Sequence, residues 1–260
     1  MPQSKKTKGI KRIITKLAVL LIWLGVWQAA FLAIGQKLLF VSPLQVAERL
    51  CSLVLQPAFW QSVGLSFLRI SAGYCLGVFF GVFLAAVTSA SAFLHSLFEP
   101  VLTLARSTPV ASFIILALVW IRKDYVPVFI VFLIVLPIIW ANVRQGIEQT
   151  DRTYLEVAKV FRFGFLKKTK TVYLPCVLPY FAAGCTTALG MAWKSGVAAE
   201  VLAMPVRSIG YNLYRSKINI ETADLFSWTA VVIILSVILE KLITFLLGRI
   251  KEGKSHVKRQ

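Results

Sequence analysis

Apolar residues in this chain fall in long, nearly uninterrupted runs, not in the two-residue alternation of a strand or the single stripe of a soluble helix. The runs predict helices over about 17–35, 65–90, 100–121, 126–143, 179–203 and 226–247, each near the roughly 20 residues needed to cross a bilayer. The longest polar stretch between them, 144–178, contains one segment of different periodicity. There Tyr154, Val157, Ala158 and Phe161 recur at i, i+3, i+4 and i+7, while Glu156, Lys159 and Arg162 take the other sides. Thr153 and Glu156 have the spacing of a capping box, which predicts where this short helix starts. Val172, Leu174 and Pro175 then lead back towards the bilayer, with the proline marking re-entry. So short a helix is marginal alone and needs a surface to dock on, here expected on another protein.

The remaining segments are shorter. Residues 36–62 are mixed, and Ser42-Pro43 opens an interfacial helix with Val46, Leu50, Leu53 and Val54 on one face. Gly73, Gly77 and Gly81 recur every fourth residue in the second run, a small-residue ridge that lets another helix approach closely. Arg69, near the outer end of that run, has the reach to snorkel to headgroups. A loop carrying His95 and Glu99 precedes the third run, Arg122-Lys123-Asp124 form a tight turn after it, and Pro137 interrupts the fourth. Residues 204–225 are polar and expected outside.

Composition agrees with a membrane protein. Of 260 residues 58% are hydrophobic and only 15% charged, against about 25% charged in a soluble domain. The net charge of +18 would suit nucleic acid, but its distribution fits the positive-inside rule better. Lys5, Lys6, Lys8, Lys11, Arg12 and Lys16 lie in a basic tail, 1–16, expected to be disordered. Arg144, Arg152, Lys159, Arg162, Lys167, Lys168 and Lys170 occupy the central loop, and Arg249, Lys251, Lys254, Lys258 and Arg259 the tail 249–260. Six spans place both termini on one side, so all three basic segments face the cytoplasm. A signal peptide is the competing reading of the first run, but that run is longer than a typical apolar signal core and ends in no small-x-small site. Cys51, Cys75, Cys176 and Cys185 form no C-x-x-C pair and read as small buried side chains.

Few residues offer chemistry. The stretch from Gly164 to Thr171 resembles a phosphate-binding loop, but Thr169 stands at its second glycine and no strand precedes it. No metal cluster, catalytic triad or other catalytic set is evident. Charges inside the apolar runs are more informative, because an unpaired charge in lipid is expensive. Arg106 lies beside Ser107, Thr108 and Pro109, whose hydroxyls can cover a carbonyl freed by the proline. Trp193, Lys194 and Glu200 lie in the fifth run. Lys194 and Glu200, six residues apart, fall on different faces of a regular helix. Lys194 therefore either faces an internal pathway suited to an anion or pairs across helices. Glu200, near the outer end, is a candidate contact for an external partner. These residues, with Arg106, Ser107, Thr108 and Trp193, make up the candidate solute pathway.

The central segment resembles the cytoplasmic signature of inner-membrane permease subunits of bacterial binding-protein-dependent ABC importers, E-A-A-x3-G-x9-I-x-L-P. Glu156, Val157 and Ala158 fall on its first three positions, and Val172, Leu174 and Pro175 on its last three. Arg162 stands where the family has a glycine that ends the helix; Gly164, two residues on, is the substitute expected for a left-handed cap. Ser66 to Gly73, Arg106 to Pro109 and Trp193 to Glu200 resemble the nitrate/sulfonate/taurine-type branch.

The resemblance implies an all-α integral membrane fold: six spans, both termini cytoplasmic, and a cytoplasmic coupling helix between the fourth and fifth. Thr153, Tyr154, Glu156, Val157, Ala158, Phe161, Arg162, Gly164, Leu174 and Pro175 would form the coupling site. The implied partners are two ATPase subunits, which bind ATP and Mg, a second permease copy, an extracytoplasmic solute-binding protein and membrane lipid. No cofactor is expected in this chain. The expected cargo is a small anionic or organic solute, moved by alternating access in the bacterial plasma membrane. An ATPase-independent transporter or channel is the alternative.

Overall fold

A computed structural model describes residues 3–36 and 38–255; Met1, Pro2, Lys37 and 256–260, with His256, Lys258 and Arg259 of the expected basic tail, lie outside the described residues. The described chain is helical, without strands. Its first helices are α1 (Gln3–Ile34), α2 (Pro43–Val54), α3 (Pro57–Ala90), α4 (Ala92–Ser107) and α5 (Val110–Trp120). They are followed by α6 (Val126–Glu148), α7 (Arg152–Val160) and α8 (Phe165–Lys168). A π-helical turn, Thr169–Tyr173, joins α8 to α9 (Leu174–Ala203), and α10 (Ile209–Ile218) and α11 (Thr222–Ser255) complete the chain. The chain divides into two compact units, one comprising the residues up to Trp60 with Asn212–Val231, the other Gln61–Tyr211 with the residues from Val232 on.

In the first unit, α1 begins at Gln3, so residues 3–16 of the tail expected to be disordered are helical and continuous with the first expected span. That helix carries exposed apolar side chains, among them Leu20, Leu21 and Trp23. A surface this apolar requires lipid or another protein as its solvent. The Trp27 indole N–H donates to the Val41 carbonyl (3.0 Å), and its ring meets Phe40 and Phe226. Ser42 caps α2 in a complete capping box with Gln45, preorganised by Pro43 in the first turn. Val46 and Leu53 are buried, whereas Val54 is exposed. Arg49 holds Asp224 in a two-pronged ion pair (Nη2 to Oδ2, 2.8 Å), and this hydrogen bonding raises the guanidinium pKa.

In the second unit α6 is the central helix, with Ile130, Val131, Val135 and Ile139 buried along it. One core cluster joins α5, α6 and α9 through Ile114, Ala117, Val126, Ile130, Ile134, Ala199 and Ala203. Gly73, Gly77 and Gly81 of α3 form the approach to α6: a Cβ at these positions would lie 2.4 Å from the Val128 carbonyl oxygen, 2.6 Å from Val135 Cβ and 2.8 Å from Ile139 Cβ. Small-residue contact replaces the hydrophobic driving force that water would supply to a soluble pair.

Among the described residues five helices are long and apolar enough to span a membrane: Ile14–Ile34, Pro57–Ala90, Val126–Glu148, Phe165–Ala203 and Thr222–Ile243. The third expected span, 100–121, is not one helix. It comprises α4 and α5, bent by 106° across the break at Thr108-Pro109, so the count reaches six if this pair is one broken span. Pro109 cannot donate to the ladder, and the hydroxyls of Ser107 and Thr108 both turn back to the Leu104 carbonyl (3.3 and 2.8 Å). His95 and Glu99, expected in a loop, lie within α4, which Ser91 caps, and pair across one turn (3.2 Å). The fifth span starts well before Pro179: helix runs continuously from Phe165 for 39 residues, about 58 Å at 1.5 Å per residue. Pro175 sits in the first turn of α9, where its missing N–H is harmless. Of the cysteines only Cys185 is buried; Cys51 and Cys75 are exposed, and none is paired.

Candidate functional site

The helix predicted in the central loop is α7, but its cap differs from the expected one. The N-cap is Asp151, whose Oδ1 accepts the Thr153 amide proton (2.9 Å), so Thr153 and Glu156 do not form a capping box. Asp is among the strongest N-cap residues and carries the charge favoured at a helix N-terminus, and here it lies two positions upstream of the threonine. The same hydrogen bond holds the Asp151 carboxyl below its usual range. The cap's contribution is therefore fully present above the ordinary carboxylate range and is lost as pH falls through this depressed pKa.

The far end carries a correction too. Gly164 is extended and caps α8 (φ −63°, ψ 162°), whereas Arg162 takes the left-handed conformation at φ 48°. The Phe163 amide reaches the Ala158 carbonyl (2.8 Å) and the Arg162 amide reaches Lys159 (3.1 Å). These are the two bonds of a Schellman motif, with Arg162 at the residue that is usually glycine. The family pattern thus survives as geometry while its preferred residue is absent. Because left-handed backbone costs an L-residue about 1–2 kcal/mol, Arg162→Gly is expected to strengthen the end of α7 by about 1 kcal/mol. Amide exchange at Phe163 would then slow; faster exchange would contradict the assignment.

Of the predicted stripe, Tyr154, Val157 and Phe161 are exposed, at 57%, 45% and 70%, while Ala158 is 2% exposed. Val160, at 78%, joins the exposed set. An open groove of about 610 Å³ follows the helix, lined by Leu155, Ala158 and Phe163 together with Arg152, Lys159, Arg162, Lys168 and the single carboxylate Glu156. Lys167 Nζ lies over the Phe163 ring at 4.2 Å. α7 therefore presents large apolar side chains next to an excess of positive charge. Leu174 and Pro175 are exposed at the start of α9.

The intramembrane charges separate into different environments. Glu200 is fully buried, so it offers no contact to an external partner and no surface to a solute. Ser66 donates to its Oε2 (2.7 Å), the Gly210 amide donates to the same oxygen (3.2 Å), and the Ile209 amide donates to Ser66 Oγ (2.9 Å). The carboxylate thereby satisfies the first turn of α10, where the helix dipole favours negative charge. Gly210 makes this possible: a Cβ there would lie 2.3 Å from that of Glu200. Arg69 does not snorkel. It reaches Glu200 Oε1 at 3.7 Å and Asp124 Oδ1 at 3.5 Å, linking α3, α9 and the turn after α5. Sequence reasoning did not join these residues, although Arg69 and Glu200 were both visible as charges within apolar runs.

Trp193 is buried and donates to the Val232 carbonyl (3.0 Å). Lys194 points the other way. It is exposed with Thr187, Met191 and Ala198 on the one open face of α9. Arg106 is exposed at the end of α4; it donates to the Pro137 carbonyl and lies 5.7 Å from the Trp140 ring, which Arg144 approaches at 5.5 Å. Ser107 is exposed and Thr108 half-buried. Of the six candidate pathway residues, Trp193 and Glu200 are therefore buried, whereas Arg106, Ser107 and Lys194 are exposed. Among the described residues no group of three or more His, Cys, Asp or Glu is placed to hold a metal ion.

Comparison with known proteins identifies the architecture. The family described as "Binding-protein-dependent transport system inner membrane component" matches residues 77–254. The chain is 24% identical over 254 residues to the nitrate import permease of Leptolyngbya laminosa, covering 94% of this chain and 89% of the relative. It is 25% identical over 213 residues to the bicarbonate transport system permease of Synechococcus elongatus, covering 78% and 76%. Among solved structures, the backbone is similar to a subunit of a bacterial alginate ABC transporter (TM-score 0.62, 15% identity, 95% and 99% coverage). It is also similar to a subunit of the MetNI methionine ABC transporter (TM-score 0.58, 18% identity, 75% and 93% coverage). The chain belongs to the inner-membrane components of binding-protein-dependent transport systems, and is a multi-pass permease subunit of an ABC importer in the bacterial plasma membrane.

Proposed function

We propose that the chain forms one half of a homodimeric permease that imports a small anion, with α7 docked in a groove of a cytoplasmic ATPase. Both termini lie in the cytoplasm, α4 and α5 together form one broken span, and a solute-binding protein delivers cargo from outside. ATP and Mg are bound by two ATPase subunits. The observation that carries the coupling role is the surface of α7: Tyr154, Val157, Val160 and Phe161 are exposed beside Arg152, Lys159 and Arg162 on a helix capped at both ends. Apolar anchors ringed by charge are the composition of a docking surface. Movement of the ATPase dimer would be transmitted through α7 to the continuous helix from Phe165 to Ala203.

Replacing Tyr154 by Asp together with Arg162 by Glu places charge on the apolar face and reverses it on the rim. The pair is expected to abolish co-purification of the ATPase and ATP-driven uptake in proteoliposomes, while the permease remains folded. Retention of both would refute the docking role. The anionic cargo is supported by the names of the nitrate and bicarbonate relatives and by Lys194, a cation on the open face of a spanning helix. Lys194→Met should lower uptake of a nitrate- or bicarbonate-sized anion at least tenfold; unchanged uptake of the identified cargo would remove Lys194 from the pathway.

A further inference from the structure

A second site lies where α8 and the π turn meet the ends of α3 and α6. A pocket of about 310 Å³ opens there, lined by Val82 and Ala86 of α3, Val143 and Ile147 of α6, Tyr173 of the π turn and Val177 of α9. Its size is at the lower end of the roughly 300–1,000 Å³ typical of small-molecule sites. No charged residue lines it. The wide backbone of Thr169–Tyr173, an uncommon feature often found at functional positions, forms one wall.

The depth of the pocket follows from helix length. α6 has 23 residues, about 35 Å at 1.5 Å per residue, so it barely exceeds a hydrocarbon core of about 30 Å. Val143 and Ile147 near its C-terminus therefore mark the boundary between acyl chains and headgroups. Lys168 and Lys170 stand in the chain on either side of Thr169, which lines the pocket, and Lys168 Nζ lies 5.4 Å from the ring of Tyr173, which lines it too. Phe165 and Leu166 are each 82% exposed immediately before these lysines. Exposed apolar residues next to lysines at this depth are the composition of an interfacial segment bound to an anionic leaflet.

We propose that this pocket holds an acyl chain of an anionic phospholipid from the cytoplasmic leaflet, with its phosphate between Lys168 and Lys170. The assignment of leaflet rests on the topology proposed above; the pairing of an apolar slot with two cations does not. A neutral lipid would fill the slot and leave the lysines without a counter-charge, and a soluble phosphate would do the reverse. The bound lipid would brace the junction between α7 and α9, through which the coupling motion passes.

The test uses full-length permease in detergent, exchanged with phosphatidylglycerol or phosphatidylcholine and read by native mass spectrometry. Wild type should retain phosphatidylglycerol in preference to phosphatidylcholine, and glycerol phosphate should not displace it. The Lys168→Gln/Lys170→Gln variant should weaken phosphatidylglycerol retention roughly 25-fold, about fivefold for each lysine near an anionic surface. Ala86→Phe, which fills the slot and keeps both charges, should weaken it independently. Equal retention of the two lipids by wild type, or undiminished phosphatidylglycerol retention by either variant, would overturn the proposal. Displacement by glycerol phosphate would assign the site to a soluble phosphate instead. None of these readouts involves the ATPase, so failure here is distinguishable from failure of the docking reading.

Discussion

Glu200→Ala is expected to destabilise the isolated permease by about 3–5 kcal/mol, the usual cost of removing one partner of a buried ion pair. The variant leaves the Arg69 guanidinium, only 14% exposed, facing a void at the position of the carboxylate, with Asp124 at 3.5 Å as its remaining counter-charge. At 3.7 Å the lost attraction alone is about 4 kcal/mol at an effective dielectric near 20. The Gly210 amide and the Ser66 hydroxyl lose their acceptor as well, which uncaps the start of α10. Thermal unfolding in detergent, followed by tryptophan fluorescence, would measure the loss. Replacing Arg69 and Glu200 together by Met should cost less than the two single changes summed, since no buried uncompensated charge remains and Asp124 is open to solvent. A single variant as stable as wild type would show that the hub does not hold the three segments together.

Gly77→Leu is the second large effect. Any Cβ at this position would lie 2.6 Å from Val135 Cβ and 3.2 Å from the Leu136 nitrogen, and neither is the yielding end of a flexible side chain. α3 and α6 must separate to admit a leucine, at a cost of about 1–3 kcal/mol or more. Gly64→Ala, also on α3 but with nothing within 4 Å, should instead stabilise the helix by about 0.5–1 kcal/mol. Opposite signs at two glycines of one helix would show that contact with α6, not helix propensity, sets the requirement at Gly77. A neutral Gly77→Leu would mean that the two helices pack differently in the membrane.

Legibility in the sequence followed the range of each interaction. Spans are local: a bilayer demands about 20 apolar residues and internally satisfied backbone, and both demands act on consecutive positions. Hydropathy did not show the break within 100–121, because it is blind to the bend of 106° between α4 and α5 at Thr108-Pro109. The apolar stripe of α7 was likewise readable from its period. Its ends were not, since a cap is decided by competition between neighbours, and Asp151 lies where its carboxylate reaches the Thr153 amide. The left-handed residue that ends the helix was not legible: the cap expected at Gly164 falls instead at Arg162, where the family pattern has its glycine. Two backbone hydrogen bonds hold Arg162 in a conformation that its side chain disfavours.

By itself the sequence determined an all-helical membrane chain, a short amphipathic helix in its central basic loop, and a signature sufficient to place it among ABC importer permeases. These depend on period, length and charge along the chain. Only the tertiary structure decided that Glu200 belongs with Ser66 and Arg69, more than 130 residues away in sequence, and not with Lys194 or an external partner. It alone showed that Lys194 remains on an open face and that the π turn beside α8 walls an apolar pocket. The reason is that burial of charge and closure of a pocket depend on which distant helices meet. In lipid that choice is made by close packing of small residues and a few polar contacts, with little help from hydrophobicity.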